Sequence, residues 1–143
     1  MNEKTKPTLV TAALICSNNA EILITQRPSG KLFPLKWEFP GGKVEPNEDP
    51  EDCLVRELKE ELNLEIEVVE PFITVNHQYA EFYISLMTFW CKIKKGKPTL
   101  IEHNDYRWVR PHELSLFDFV DADAILIKRI IEKGIPDKLL VDE

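Results

Sequence analysis

The stretch at positions 41–64 reads GGKVEPNEDPEDCLVRELKEELNL, and it joins a double glycine to a predicted amphipathic helix. Asp49 is a favoured N-cap residue and Pro50 a favoured first helical residue. Asn63 suits the left-handed conformation in which helices commonly end. Leucines recur at every fourth position and form one apolar face, at Leu54, Leu58 and Leu62. The stretch therefore predicts a helix that packs its leucines against a sheet.

The same helix carries three glutamates on one face, Glu57, Glu60 and Glu61, at spacings of three and four residues. Their carboxylates repel one another, and no lysine follows four residues later to offset them. A hard cation such as Mg²⁺ reverses this effect, because it binds oxygen ligands and tolerates closely spaced carboxylates. We expect a Mg²⁺ site here, in which Mn²⁺ can substitute. The double glycine allows the backbone to approach the cation closely, so the Gly41 carbonyl is expected to be one of the ligands of this site.

Arg56 lies next to the glutamate face and is able to hold one carboxylate by paired hydrogen bonds. Glu48, near the start of the helix, is its natural partner. The alternative interpretation is a solvated helix rich in glutamate, which is the usual outcome for a run of charge.

Composition excludes several classes of protein. The 143 residues and 43% hydrophobic content suit a single domain spanning positions 1–143. Between positions 45 and 70 there are eleven acidic and two basic residues, which argues against a surface that coats nucleic acid. The apolar runs are too short to cross a bilayer, and the polar N-terminus lacks a targeting pattern. Three widely spaced cysteines indicate reduced thiols in a cytoplasmic protein.

Strands and helices alternate along the rest of the chain. Strands are predicted at positions 9–16, 21–26, 37–39, 65–69, 72–78, 82–93 and 106–109. The first two are expected to form a hairpin across Ser17, Asn18 and Asn19. A second helix is predicted at positions 121–133, ending at Gly134. This order indicates an α/β fold, an α/β/α sandwich with a central mixed β-sheet.

The central stretch resembles the Nudix box. That box asks for Gly, five residues, Glu, seven residues, then Arg-Glu-apolar-x-Glu-Glu-x-Gly-apolar. The positions that match at this spacing are Gly42, Glu48, Arg56, Glu57, Leu58, Glu60, Glu61 and Leu64. Asn63 stands where the family has Gly, and we expect a small stability cost without loss of chemistry, because Asn also adopts positive φ.

The chain is similar to MutT-like Nudix hydrolases from about position 9 to 131. The resemblance implies that Arg27 lies near the substrate phosphates and that Glu102 lies on a loop facing the metal. It implies that Asp123 reads the edge of the base. The segment leading into the box, which includes Phe39 and Lys43, is expected to contact substrate.

One of these assignments has alternatives, and two further side chains are candidates for the site. Asp123 is also explained as an ordinary acid at a helix N-terminus, and Asp121 could read the base instead. His103 follows Glu102 directly and so could lie near the site, although a histidine is more often structural. Trp37 could stack near the pocket, as could Phe39.

The resemblance implies Mg²⁺-dependent hydrolysis of a (deoxy)nucleoside triphosphate, with attack at the β-phosphorus and release of nucleoside monophosphate and pyrophosphate. Glu57 or Glu102 would act as the base. The substrate could be oxidised, such as 8-oxo-dGTP. The alternatives are a cytidine-type triphosphate, another nucleoside diphosphate derivative, a non-catalytic nucleotide sensor and an interaction domain. We expect a small-molecule nucleotide as partner, no nucleic acid, no membrane, and a monomer or homodimer.

Overall fold

The structure is a computed structural model that describes residues 6–140. Its strands are β1 (Thr8–Ile15), β2 (Ile22–Gln26), β3 (Trp37–Glu38), β4 (Gly41–Lys43), β5 (Glu65–Gln78), β6 (Tyr83–Lys95) and β7 (Asp105–Val109). Its α-helices are α1 (Pro50–Leu62) and α2 (Ala124–Lys133). Short 3₁₀ helices cover Pro111–Leu116, Asp121–Asp123 and Asp137–Leu139. The prediction about the extreme N-terminus falls on residues 1–5, which lie outside the described part.

The strands form two sheets. One has the order β4-β1-β6-β5 and is mixed, because β1 runs parallel to β6 while the other pairs are antiparallel. The other has the order β3-β2-β7 and is antiparallel. The predicted α/β class with a mixed sheet is confirmed. The separate sheet of β2, β3 and β7 was not predicted from the sequence.

The predicted hairpin between the first two strands is wrong. The turn itself forms, since the Ser17 hydroxyl accepts hydrogen bonds from the backbone N–H groups of Asn19 and Glu21. Beyond one bridge between Cys16 and Ile22, however, β1 and β2 separate into different sheets. β1 finds its partners far along the chain, and β6 matches it over all eight residues.

Helix α1 matches its predicted bounds. Asp49 precedes it with extended backbone, although its side chain makes no capping hydrogen bond. Asn63 ends it in the left-handed conformation, with φ 53°. The three leucines of the predicted face are fully buried, at Leu54, Leu58 and Leu62. They pack with Ala13 and Ile15 of β1, so α1 covers one side of the four-stranded sheet.

The alternate residues of β1 point to the other side. Ala12 and Leu14 belong to a second apolar cluster together with Leu126 and Ile130 of α2. The two helices therefore cover opposite faces, as the sandwich prediction requires. The residues predicted as the start of the second helix, 121–123, form a 3₁₀ turn before α2 begins.

Strand β5 replaces two predicted strands. It continues through Pro71 with register shifts, and it lies at the edge of the four-stranded sheet. An edge strand tolerates proline, because the missing N–H faces away from the neighbouring strand.

The cysteines agree with the expectation of reduced thiols. The three cysteines are free and buried, at Cys16, Cys53 and Cys91. Within residues 6–140, no helix has the length and apolar character needed to span a bilayer.

Candidate active site

A cleft of about 630 Å³ opens between the glycine-rich end of β4, the loop after β2, the loop before β7 and the turn preceding α2. It brings together most of the residues predicted to bind metal or substrate. These are Arg27, Phe39, Gly41, Lys43, Glu61, Glu102 and Asp123. Four predicted residues on α1 and on the loop before it are not among the residues lining the cleft, namely Glu48, Arg56, Glu57 and Glu60.

Arg56 organises the acidic side chains around α1. The predicted pair with Glu48 is present, with Nε and Nη2 of Arg56 donating to its two oxygens at 2.8 and 3.0 Å. Nη1 donates to Glu57 at 2.8 Å and to Glu60 at 3.4 Å. The Arg56 guanidinium, together with the backbone N–H of Glu45, lowers the pKa of Glu48 to about 2. A single arginine thus holds several carboxylates together.

Close contacts at Gly41 and Gly42 of β4 leave no room for a side chain at either position. A Cβ at Gly42 would overlap the carboxyl of Glu57. A Cβ at Gly41 would overlap the backbone of Thr11 and Ala12 in β1. The Thr11 hydroxyl also donates to the Gly42 carbonyl at 3.2 Å. The double glycine therefore lets β4 lie against β1 and lets Glu57 lie against β4.

Glu61 is the glutamate of α1 that reaches the cleft. Its Oε2 is buried and has no hydrogen-bond partner. Burial raises the pKa of its carboxyl well above the ordinary value, and the negative charges of Glu57, Glu38 and Glu102 raise it further. A buried carboxyl oxygen that has no partner and lies near other carboxylates fits the ligand preference of a hard divalent cation.

The ligands are not gathered at one point in this geometry. Among the described residues, no three acidic, histidine or cysteine side chains converge in a way that could hold an ion. The reason is visible on α1, where Glu57 and Glu60 turn toward Arg56, and the Glu60 side chain is 58% exposed. A bound cation would have to draw these side chains away from the guanidinium.

Glu38 lines the cleft and contacts two other residues of its wall. Its Oε1 accepts a hydrogen bond from Nη1 of Arg27 at 2.9 Å. Its Oε2 lies 3.2 Å from Nε2 of His103, whose side chain is only 5% exposed. Glu102, next along the loop, is half exposed and forms an ion pair with Lys31 at 3.6 Å.

Asp123 lies in the same cleft and is 3% exposed. Burial raises the pKa of its carboxyl well above the ordinary value, with a further contribution from the charge of Glu38. Its Oδ2 has no hydrogen-bond partner, and its side chain does not cap α2. Asp123 does occupy the N-cap position of α2, so its interpretation as an acid at a helix N-terminus stays an alternative to base reading. Asp121 is exposed and is not part of the cleft wall.

Aromatic rings surround this part of the cleft. Phe33 lies 4.8 Å from Tyr79, and Tyr79 lies 4.9 Å from Phe82, measured between ring centroids. The Tyr79 hydroxyl accepts a hydrogen bond from the backbone N–H of Ala122 at 3.0 Å. Phe39 is buried and packs on Phe119. Such rings form flat apolar surfaces suited to a stacked base.

Comparison with known proteins identifies the family. A model described as the NUDIX domain matches residues 11–129. The chain belongs to the Nudix family. It is 34% identical to an "8-oxo-dGTP diphosphatase" of Haemophilus influenzae over 124 residues, which cover 87% of this chain and 91% of that protein. It is also 34% identical to a "CTP pyrophosphohydrolase" of Escherichia coli, over 81% of this chain and 86% of that protein.

A solved structure agrees with this identification. The MutT protein from methicillin-resistant Staphylococcus aureus, described as of the Nudix hydrolase family, superposes with a TM-score of 0.72 and 38% identity. The match covers 90% of this chain and 98% of that one. The predicted resemblance to MutT-like Nudix hydrolases is confirmed, and the chain is an enzyme.

Several cleft residues of this Nudix enzyme were missed from its sequence. Glu38 stands in the quoted strand but received no role, and Tyr79, Phe33 and Phe82 lie outside the box. A charged residue between two aromatics, as in Trp37-Glu38-Phe39, was the available signal for Glu38. Of the two aromatics, Phe39 lines the cleft, whereas Trp37 packs against Phe117 and is not among the residues of the cleft wall.

The burial of Asp123 predicts a pH effect on the stability of the Nudix domain. Its native pKa is raised, so above about pH 4 the unfolded chain has released a proton that the native state retains. The contribution to stability is complete below the ordinary value of 3.8 and is lost as pH rises through the native pKa. We expect Asp123→Asn to remove this loss of stability, which lowers the free energy of unfolding of the wild type by up to about 1.4 kcal/mol per pH unit.

Urea denaturation of both proteins at several pH values between 5 and 8 tests this. The variant should gain stability over the wild type as pH increases. Asp121→Asn is the matched control, because Asp121 is exposed two residues away, and its difference from the wild type should not change with pH. Parallel curves for wild type and Asp123→Asn would contradict the expected shift.

Proposed function

We propose that this enzyme hydrolyses a (deoxy)nucleoside triphosphate to nucleoside monophosphate and pyrophosphate, with attack at the β-phosphorus. One observation carries the proposal. A single cleft is lined at once by the carboxylates Glu38, Glu61 and Glu102 and by a buried acid, Asp123, which lies among aromatic rings. A nucleoside triphosphate has the same two-part character, with a polyphosphate at one end and a flat base at the other. The names of the relatives in Haemophilus influenzae and Escherichia coli support this substrate class.

The acidic end suits a divalent cation, which Nudix hydrolases generally use. We assign Mg²⁺, with Mn²⁺ able to replace it, to Gly41, Glu57, Glu60 and Glu61. The unpartnered Oε2 of Glu61 supports this, because this buried oxygen lies near the negative charges of Glu57, Glu38 and Glu102. When bound, the cation stabilises negative charge on the phosphate oxygens.

The side chains around the metal residues have separate tasks. Arg56 and Glu48 hold Glu57 in place by the hydrogen bonds described above. Glu57 or Glu102 takes the proton of the attacking water. Glu102 lies on the loop before β7 and lines the same cleft as Glu61, so it is able to approach the substrate there.

Substrate contacts are assigned along the cleft. Arg27 and Lys43 supply positive charge for the phosphates, and both line the cleft. Asp123 reads the base, and Phe39 supports it from the apolar side. An oxidised purine such as 8-oxo-dGTP is the first candidate for the base, as the named diphosphatase relatives suggest.

A cytidine-type triphosphate is the second candidate. Asp123 has an unpartnered oxygen that is able to accept a hydrogen bond from an exocyclic amino group. Cytosine presents such a group where guanine presents O6, which is an acceptor. The named CTP pyrophosphohydrolase of Escherichia coli supports this candidate. A non-catalytic sensor is disfavoured, because the box keeps Arg56 and all three glutamates of α1.

The deciding experiment measures pyrophosphate release from normal and oxidised triphosphates at millimolar Mg²⁺. We expect kcat/KM for one base to exceed the others, with monophosphate as the second product. Phosphate instead of pyrophosphate would contradict attack at the β-phosphorus. No turnover of any triphosphate, or of diphosphate derivatives, would contradict the proposed function.

Asp123→Ala tests the reading of the base. The variant should lose about tenfold to a hundredfold in kcat/KM for the preferred base, because a buried polar contact is lost. Other bases should be affected little, and Asp121→Ala should behave like the wild type. An equal loss for every base would remove Asp123 from base selection.

A further inference from the structure

Three buried side-chain polar atoms of the described residues lack a hydrogen-bond partner: Glu61 Oε2, His103 Nδ1 and Asp123 Oδ2. All three residues line the same cleft. Buried polar groups are normally paired, so an unpaired one in a cleft indicates a contact that a ligand completes. The proposed function uses Glu61 for the cation and Asp123 for the base. The proposed function assigns no role to His103.

The imidazole of His103 is held in one orientation. Its Nε2 lies 3.2 Å from Glu38 Oε2, and the side chain is 5% exposed. Glu38 is itself fixed, since Arg27 donates to its other oxygen at 2.9 Å. The next residue, Asn104, bonds through its backbone N–H to the carbonyl of Gln26 at 2.9 Å. The ring is therefore positioned before substrate arrives.

This contact also selects the tautomer of the neutral imidazole. A carboxylate only accepts hydrogen bonds, so Nε2 of His103 must carry the proton that it donates to Glu38. In the neutral ring, Nδ1 is then an acceptor. An acceptor binds an O–H or N–H group, and it does not favour phosphate oxygens, which are acceptors themselves.

The place of His103 follows from its partner. The negative charge of Glu38 contributes to the raised pKa of Glu61 and also to that of Asp123. Glu38 lines the same cleft as Glu61 and Asp123, and it directly precedes Phe39, whose backbone forms a hydrogen bond with Asp123. His103 contacts Glu38 directly, so its ring lies beside the route from the carboxylates to the base-reading acid. In a nucleotide, the group between the polyphosphate and the base is the sugar, whose hydroxyls are hydrogen-bond donors.

We propose that His103 is a specificity-determining residue whose Nδ1 accepts a hydrogen bond from a sugar hydroxyl of the bound nucleotide. Glu38 is the positioning residue that holds the ring for this contact. The inference rests on the proposed function, because it requires a nucleoside triphosphate in the cleft. It adds that this enzyme distinguishes nucleotides by their sugar as well as by their base.

The test compares ribo-, 2′-deoxy- and 2′,3′-dideoxynucleoside triphosphates that share the best base from the substrate panel. We expect the wild type to hydrolyse at least one hydroxyl-bearing form about tenfold better than the dideoxy form, measured as kcat/KM. The ribo and deoxy arms show whether the 2′- or the 3′-hydroxyl is the donor. His103→Ala and His103→Phe should lower this ratio to about one.

The ratio is an internal measurement, because both substrates meet the same folded fraction of each variant. His103→Phe keeps a ring in the buried position in case the alanine variant is unstable. His112→Ala is the control, since His112 is exposed, and it should keep the wild-type ratio. A purely structural role for His103 would lower all rates together and leave the ratio unchanged.

Two results would overturn the proposal: equal hydrolysis of all three sugars by the wild type, or an unchanged preference in a folded His103 variant. The failure of the proposed function looks different, since no triphosphate would then be hydrolysed whatever its sugar.

Discussion

Glu61→Gln is expected to lower kcat by about a thousandfold or more, because a cation that stabilises phosphate charge contributes several kcal/mol. Glu61 is the glutamate of α1 that lines the cleft, and its Oε2 has no partner within the protein. The glutamine keeps the size of the side chain and removes its charge. Turnover should be measured over a range of Mg²⁺ concentrations, and chelation should abolish the activity of the wild type.

The fold should survive this change. Without a cation, the substitution removes a repelled and buried carboxyl, so the melting temperature should stay the same or increase. Glu51→Gln is the matched control, because Glu51 is an exposed carboxylate in the first turn of the same helix. It should retain wild-type turnover. If Glu61→Gln also retained wild-type turnover, the cation would have to be assigned to other residues.

Gly41→Ala is expected to cost about 3 kcal/mol or more of folding stability, at the upper end of the range for overpacking. The added Cβ would overlap backbone atoms of Thr11 and Ala12. These belong to β1, which is paired on its other side with β6 and cannot move away without disturbing that pairing. For a domain of this size, the melting temperature should fall by about 10 °C.

Gly30→Ala provides the control for this prediction, since a Cβ there would meet nothing within 4 Å. Its stability should lie within about 0.5 kcal/mol of the wild type. Thermal melting of both variants makes the comparison. A Gly41→Ala protein as stable as Gly30→Ala would mean that β4 and β1 lie farther apart than this structure has them.

Local signals in the sequence were sufficient for helix α1. Asp49, Pro50 and Asn63 mark its ends, and both its length and its buried face follow from residues within fourteen positions of one another. The ion pair between Arg56 and Glu48 was predictable for the same reason, because the two residues are only eight positions apart.

Pairing between distant strands was not predictable in this way. The turn at Ser17 forms as expected, but β1 takes β6 as its parallel neighbour, more than seventy residues later. Nothing in the apolar pattern of β1 distinguishes that partner from β2. Pro71 likewise suggested the end of a strand, and only the edge position of β5 explains why the strand continues.

The contacts of Glu38 show the same limit. Glu38 contacts Arg27, which is 11 residues earlier, and His103, which is 65 residues later. Each residue was visible in the sequence, and two of them were considered near the site. Their meeting at one carboxylate depends on the pairing of β2 with β3 and β7, which the sequence did not reveal.

Strand β5 has a consequence for how the protein behaves at high concentration. A long outer strand normally offers a row of free amides and carbonyls to which a second molecule can add its own strand, the first step toward fibrils. Pro71 removes one of those amides, and the irregular register on both sides of it bends the row. Glu65 and Glu67 add repulsion between copies. The outermost strand of the larger sheet is thereby a poor template for aggregation.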